Sequence, residues 1–167
     1  YPVWNRDGSR LIYWDGEGGG GIYSKPISGL GRSELVKQEA AQLGPSSISP
    51  DGKLLVYVTG PGSVSSRIWI HEFAAEKSNA KDSLLLGTNF QEATPQFSPD
   101  GHWLAYASGE TGRREVCVVS FPSLSSKLQV STSGGDHPRW RRDGKELYYV
   151  APDENMTAVT LDISGDS

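Results

Sequence analysis

The chain has 167 residues, a net charge of −4 and a mean hydropathy of −0.45. A pI near 5.4 argues against nucleic acid as a general partner, no apolar run approaches a membrane span, and one cysteine makes no internal disulfide. With 20 glycines and 10 prolines the composition excludes a helical bundle and suits an all-β chain with frequent turns. The chain opens at Tyr1 inside a motif, and we read it as an excerpt of a longer polypeptide.

From the first residues onward one pattern recurs. Asp-Gly stands at Asp7-Gly8, Asp51-Gly52, Asp100-Gly101 and Asp143-Gly144, at spacings of 44, 49 and 43 residues. Three residues before each Asp is a large apolar side chain: Trp4, Ile48, Phe97, Trp140. Four residues after it is a leucine (Leu11, Leu55, Leu104, Leu147), and two further a tyrosine (Tyr13, Tyr57, Tyr106, Tyr149). Proline opens three units at one offset (Pro2, Pro95, Pro138), with Pro45 displaced by one residue. Asp-Gly between apolar runs is a hairpin signal, because Gly accepts positive φ and Asp bonds its own backbone. The apolar residue before the turn ends a first strand, and Leu-x-Tyr lies on one face of a second. The intervening residues Ile12, Val56, Ala105 and Tyr148 are apolar too, so both faces of the second strand are dry.

Third strands are predicted over Ile22–Ile27, Ile68–Phe73, Val116–Phe121 and Met156–Leu161, and fourth strands over Glu34–Lys37, Leu84–Leu86 and Leu128–Ser131. Ser33–Leu43 has the cap and stop residues of a helix, but the repeat frame requires a strand there. Four strands per unit at this period is the pattern of β-propeller blades. The frame predicts blades at about 1–38, 44–87 and 93–132 and an incomplete fourth at about 136–162, part of a larger propeller. Loops are expected at Gly16–Gly21, Gly60–Ser66, Ala74–Lys81 and Gly109–Arg114, with no interdomain linker.

The Ser-Pro-Asp-Gly-x-x-Leu-x-Tyr pattern, from Ser49 to Tyr57 and Ser98 to Tyr106, resembles the TolB-like, WD-repeat-like propeller repeat of bacteria. The resemblance covers nearly the whole chain. It is specific for fold and unspecific for activity. It implies a noncatalytic scaffold for a protein, peptide or small ligand, and, on resemblance alone, a periplasmic or other extracytoplasmic setting. Val119-Ser120-Phe121-Pro122, Lys127 to Ser131, Gly134-Gly135 and Pro138 to Leu147 resemble the propeller that follows the kinase domain in some bacterial serine/threonine protein kinases, which implies a sensor region. No kinase motif is present in this chain. Propellers of prolyl-oligopeptidase-type and tricorn-type peptidases use similar blades, a third parentage.

No motif for catalysis emerges. The Asp-Gly carboxylates are a blade apart, whereas a calcium loop converges several oxygens. Gly18–Gly21 lacks the Gly-Lys-Ser/Thr ending of a phosphate loop and runs into a strand. His71-Glu72-Phe73-Ala74-Ala75 opens like a zinc-protease motif, but Ala75 replaces the second histidine. No serine sits in a nucleophile elbow. Cys117, between Val116 and Val118, reads as a small buried hydrophobe. No catalytic residue, metal or cofactor is expected.

Candidate binding residues come from the architecture. Residues entering the innermost strands crowd one mouth of a propeller's channel, and here they include the polar Glu92, Thr94, Asp136 and His137. Their bland alternative is a wet loop. Arg139, Arg141 and Arg142, with Lys145, form a basic cluster that would suit an anionic partner, unless Asp143 and Glu146 simply pair with it on a solvated rim. Bare faces at the two terminal blades and an unpaired edge after the last strand predict an open arc prone to self-association.

Overall fold

The computed structural model describes residues 2–60, 66–74 and 79–163, and apart from one 3-10 turn at Glu17–Gly19 its regular elements are all strands. The first sheet holds β1 (Val3–Trp4), β2 (Arg10–Asp15), β3 (Gly21–Pro26) and β4 (Glu34–Gln38) in that order. The second holds β5 (Leu43–Ile48), β6 (Leu54–Thr59), β7 (Arg67–Glu72) and β8 (Lys81–Leu86). The third holds β9 (Glu92–Phe97), β10 (Trp103–Ser108), β11 (Glu115–Ser120) and β12 (Lys127–Gln129). The last has β13 (Asp136–Trp140), β14 (Glu146–Val150) and β15 (Met156–Thr160). All neighbours are antiparallel, as hairpin connections require.

The pairing of the repeat's first hairpin is the same in all four sheets. Trp4, Ile48, Phe97 and Trp140 pair with Leu11, Leu55, Leu104 and Leu147 in the four sheets. The helix-like stretch after Ser33 is strand β4, whose Val36 packs into the core between the first two sheets. The outer strand β8 begins at Lys81, three residues before the expected Leu84, because Lys81, Asp82 and Ser83 carry no apolar pattern. The expected loops at Gly60–Ser66 and Ala74–Lys81 fall partly outside the described residues.

Each Asp-Gly lies in a four-residue loop, not a two-residue one. In the third sheet Ser98 O accepts from Gly101 N at 3.0 Å, and Ser98 N donates to Trp103 O at 2.8 Å. That is a type I turn followed by a left-handed glycine: Gly101 has φ +78°, and Gly8, Gly52 and Gly144 match it at +71°, +78° and +74°. The serine of Ser-Pro-Asp-Gly locks the loop from inside. Ser98 Oγ donates to Asp100 Oδ1 (2.5 Å) and accepts from Trp103 N (2.9 Å), while His102 N donates to the same carboxylate oxygen (3.0 Å). Ser49 and Asp51 repeat this in the second sheet. Asn5 Oδ1 takes the serine's accepting role in the first, bonding Arg10 N at 2.9 Å. Asp100→Ala removes two of these bonds and is expected to cost about 1–2 kcal/mol, with Asp100→Asn recovering part of the loss. Urea unfolding of the three proteins measures this, and an unchanged midpoint in the alanine variant would refute it.

The sheets stack with a fixed direction. Leu55 and Tyr57 look back onto Ile12 and Ile22 of the first sheet. Val56, Val58, Ile68 and Ile70 look forward onto Phe97, Leu104, Tyr106, Cys117 and Val119 of the third. Ala105, Val116 and Val118 look forward onto Leu147, Trp140 and Tyr149 of the fourth. The Leu-x-Tyr face therefore always meets the preceding sheet and the intervening residue the following one. At the two ends, no sheet of the chain covers the corresponding faces among the described residues. Trp4 is 55% exposed where its counterpart Phe97 is 7%, and Met156 at the far end is 76% exposed.

Candidate functional site at the inner strands

The first strands of successive sheets are neighbours across the stack: β1 lies beside β5, β5 beside β9, and β9 beside β13. Hydrogen bonds tie them together. Gln96 Nε2 donates to Ser46 O at 2.7 Å, and Trp140 Nε1 donates to Gln96 O at 3.2 Å. Three of these inner strands carry a one-residue bulge, between Pro45 and Ser47, near Thr94, and between Asp136 and Arg139. Thr94 (φ +50°) and His137 (φ +55°) adopt the left-handed backbone that bulges admit. Such strain in non-glycine residues persists only where the surroundings fix it.

Where these strands begin, a cavity of about 430 Å³ opens, with walls from all four sheets. Trp14 and Leu43 form its apolar side; Thr94, Arg114 and His137 form its polar side. Asp136 organises that polar side. Its Oδ1 accepts from His137 N at 2.7 Å and from Thr94 Oγ1 at 3.1 Å, and its Oδ2 accepts from Arg114, which also donates to Gln91 Oε1 at 3.0 Å. Burial alone would raise the Asp136 carboxyl, but the His137 N–H and the Arg114 guanidinium outweigh it and hold the group ionised below the usual aspartate range.

Three of the four polar residues predicted from the sequence thus come together, with Arg114 as a fourth member that the sequence did not single out. Arg114 immediately precedes the third strand of its sheet and reaches Asp136 across a sheet boundary, a contact between residues 22 apart that no local pattern signals. Glu92 does not join them. It is 1% exposed inside the third sheet, where Oε1 accepts from Thr88 Oγ1 at 2.6 Å and Ser108 Oγ at 3.3 Å. Its Oε2 is buried and has no partner among the described residues. Burial pushes this carboxyl above the ordinary glutamate value, against the pull of Thr88 and Ser108.

The basic cluster disperses. Arg139 faces the cleft between the inner strands, beside Val3, Ser46 and Gln96. Arg141 forks onto Asp143 at 2.8 and 2.7 Å and also meets Glu146 at 2.8 Å. That pairing draws Asp143 down to about 2. Arg142 lies in the groove between the third and fourth sheets, near Trp103 and Leu161. Cys117 is buried, and burial pushes its thiol up to about 11, so it is inert as a nucleophile at neutral pH. Among the described residues no three His, Cys, Asp or Glu side chains converge as a metal site, and no helix is long and apolar enough to cross a membrane.

No protein-family model and no curated protein matches this chain. Solved structures do. A TolB from Acinetobacter baumannii matches at a TM-score of 0.75 and 20% identity, over 94% of this chain and 39% of that one. A protein assigned as TolB from Agrobacterium tumefaciens matches at 0.74 and 24% identity, over 89% of this chain and 52% of that one. The fold is that of a partial TolB-like β-propeller. The four sheets are its blades, three with four strands and one with three. The chain spans about half the length of one TolB and less of the other. A puromycin-hydrolysing peptidase of Mycobacterium tuberculosis also matches, at 0.69 and 14% identity over 97% of this chain and 31% of that one. At such identities the TolB-like likeness is one of fold.

Proposed function

We propose that the chain is a noncatalytic binding module whose TolB-like propeller presents the cavity at the start of its inner strands to a protein, peptide or small ligand. The observation that carries this is the convergence of four blades on one cavity that pairs an apolar wall, Trp14 and Leu43, with a polar one, Thr94, Arg114 and His137. A mixed wall of this kind suits recognition: apolar surface supplies affinity, and a few fixed polar groups supply orientation. The Asp136 network pre-organises the polar wall, so little ordering is left to occur on binding.

The test is a selection of displayed peptides on the chain, followed by binding to Ser46→Trp, which fills the cavity from its rim. Selected peptides are expected to bind the variant at least roughly tenfold more weakly, with its thermal unfolding unchanged. Peptides that bind both proteins equally would place the binding surface elsewhere.

A second reading rests on the propeller-bearing peptidase matches: the blades would be the propeller of a hydrolase whose catalytic domain lies elsewhere in the polypeptide. A third, the sensor region of a serine/threonine kinase, rests on the C-terminal motif resemblance. The domain sharing the polypeptide with the propeller distinguishes the three, a hydrolase, a kinase or neither.

A further inference from the structure

A second cavity, of about 270 Å³, lies between the first two blades and shares no lining residue with the first. Its wall is mainly apolar, with Ile12, Val36, Ile48 and Phe73, and one buried polar ring stands in it: His71, 3% exposed. The chemistry of that ring is fixed from behind. Asp82 Oδ1 lies 3.3 Å from His71 Nδ1, and the same carboxylate accepts from Tyr57 Oη at 2.9 Å and Lys37 Nζ at 3.2 Å. Burial would raise Asp82, but Tyr57 and Lys37 outweigh it and keep it ionised. An ionised carboxylate only accepts, so the proton between the two residues belongs to Nδ1, and in the neutral ring Nε2 is then the acceptor. The ring is further held edge-on by Phe73, with centroids 5.2 Å apart.

The other charged groups at this cavity are already committed. Arg10 donates through Nε to Ser24 Oγ at 2.7 Å and pairs with Glu34 at 2.9 Å. The site therefore offers a largely apolar enclosure with one buried ring nitrogen as acceptor. We propose that it binds a small phenol-type molecule, an apolar ring with a single hydroxyl that donates to His71 Nε2. A carboxylate of the same size would set a second acceptor against Nε2, and a plain hydrocarbon would leave that nitrogen without the bond. This site is separate from the cavity of the proposed binding module, and the two stand or fall independently.

The probe is p-cresol, titrated into the isotope-labelled chain and followed by NMR, with toluene as the isostere lacking the donor. Saturable shifts of cavity residues are expected, together with a shift of the His71 Nε2 resonance, and toluene should bind at least about fivefold more weakly. Ala80→Phe, which fills the cavity from a half-buried rim position, should abolish p-cresol binding without lowering the melting temperature. Equal binding of toluene and p-cresol would overturn the assignment of the acceptor, a comparison that needs no variant. An absence of saturable shifts, or retained binding by a folded Ala80→Phe chain, would overturn the site.

Discussion

Replacing Leu104 by alanine is expected to lower the unfolding free energy by about 3–5 kcal/mol, while the same change at Leu11 costs about 1 kcal/mol or less. The two leucines hold the same place in the repeat, four residues after an Asp-Gly aspartate, and the same place in their hairpins, opposite Phe97 and Trp4. They differ in what lies behind them. Leu104 is fully buried in the core that Val56, Val58 and Ile70 of the second blade form with Tyr106 and Val119 of the third. Its truncation removes transfer energy and leaves a cavity among residues that are themselves held by sheet hydrogen bonds. Leu11 belongs to the bare face of the first blade, beside a Trp4 that is 55% exposed. Urea unfolding, compared by midpoint at a constant slope, measures both. Equal losses would mean that something covers the first blade's outer face, and the stacking rule drawn above would need revision.

The second large effect separates two buried glutamates of the third blade by pH. Glu92 and Glu115 are each 1% exposed, and both are opposite Ser108 in the sheet. Glu115 is fully engaged: Ser131 Oγ donates to it, Arg113 Nε at 2.6 Å and Gly134 N at 3.0 Å. Burial would raise its carboxyl, yet these donors outweigh burial and hold it below the usual value. Its contribution to stability is therefore present above the ordinary glutamate pKa and is lost as pH falls through the lowered folded value. Glu92 has the opposite sign. Its folded pKa is raised, so its contribution is most favourable below the ordinary value and is lost as pH rises through the raised one. Glu115→Gln is expected to destabilise the chain by about 2–3 kcal/mol at pH 7, with the gap to the parent closing in acid. Glu92→Gln is expected to stabilise it by about 1 kcal/mol at pH 7, again with the gap closing in acid. Unfolding free energies of the three proteins between pH 4 and 8 test both signs, and a Glu92→Gln gap that widens as pH falls would contradict the assignment.

Gly134 is tied to the same network for a steric reason. It has φ +101°, and a Cβ there would sit 2.6 Å from Pro152 Cγ. Only glycine brings the N–H to Glu115 in that conformation without displacing the proline.

The fold was legible because its signals are local and repeated. An apolar residue, Asp-Gly, Leu and Tyr fall within about ten residues, and copying that unit fixes strand pairing and register at once. Strand β4 could be separated from a helix only because the repeat demanded it. The candidate site was legible in part. Thr94, Asp136 and His137 were singled out from their place at the entry to an inner strand, and they do share one network. Glu92 holds the same position in sequence, but as the first residue of β9 it turns into its own blade, toward Thr88 and Ser108. Arg114 was missed because it acts on another blade, and Asp82 because it lies on β8, a strand whose first half has no apolar pattern and where burial is set by tertiary packing. The arginines around Asp143 are adjacent in sequence, yet alternation along β13 and the turn beyond it send them to three different surroundings.

The one-way stacking of the blades bears on how such a chain can be lengthened or shortened. Since every interior interface joins an intervening-residue face to a Leu-x-Tyr face, any unit cut between equivalent points of neighbouring Asp-Gly turns carries one of each. Removing such a unit brings together two surfaces of the kinds that already meet elsewhere, and inserting one creates no new kind of contact. What must be readjusted is side-chain volume, since Val56 and Val58 face Leu104 and Tyr106 in one interface while Ala105 faces Leu147 and Tyr149 in the next. The blades are interchangeable in orientation and individual in fit.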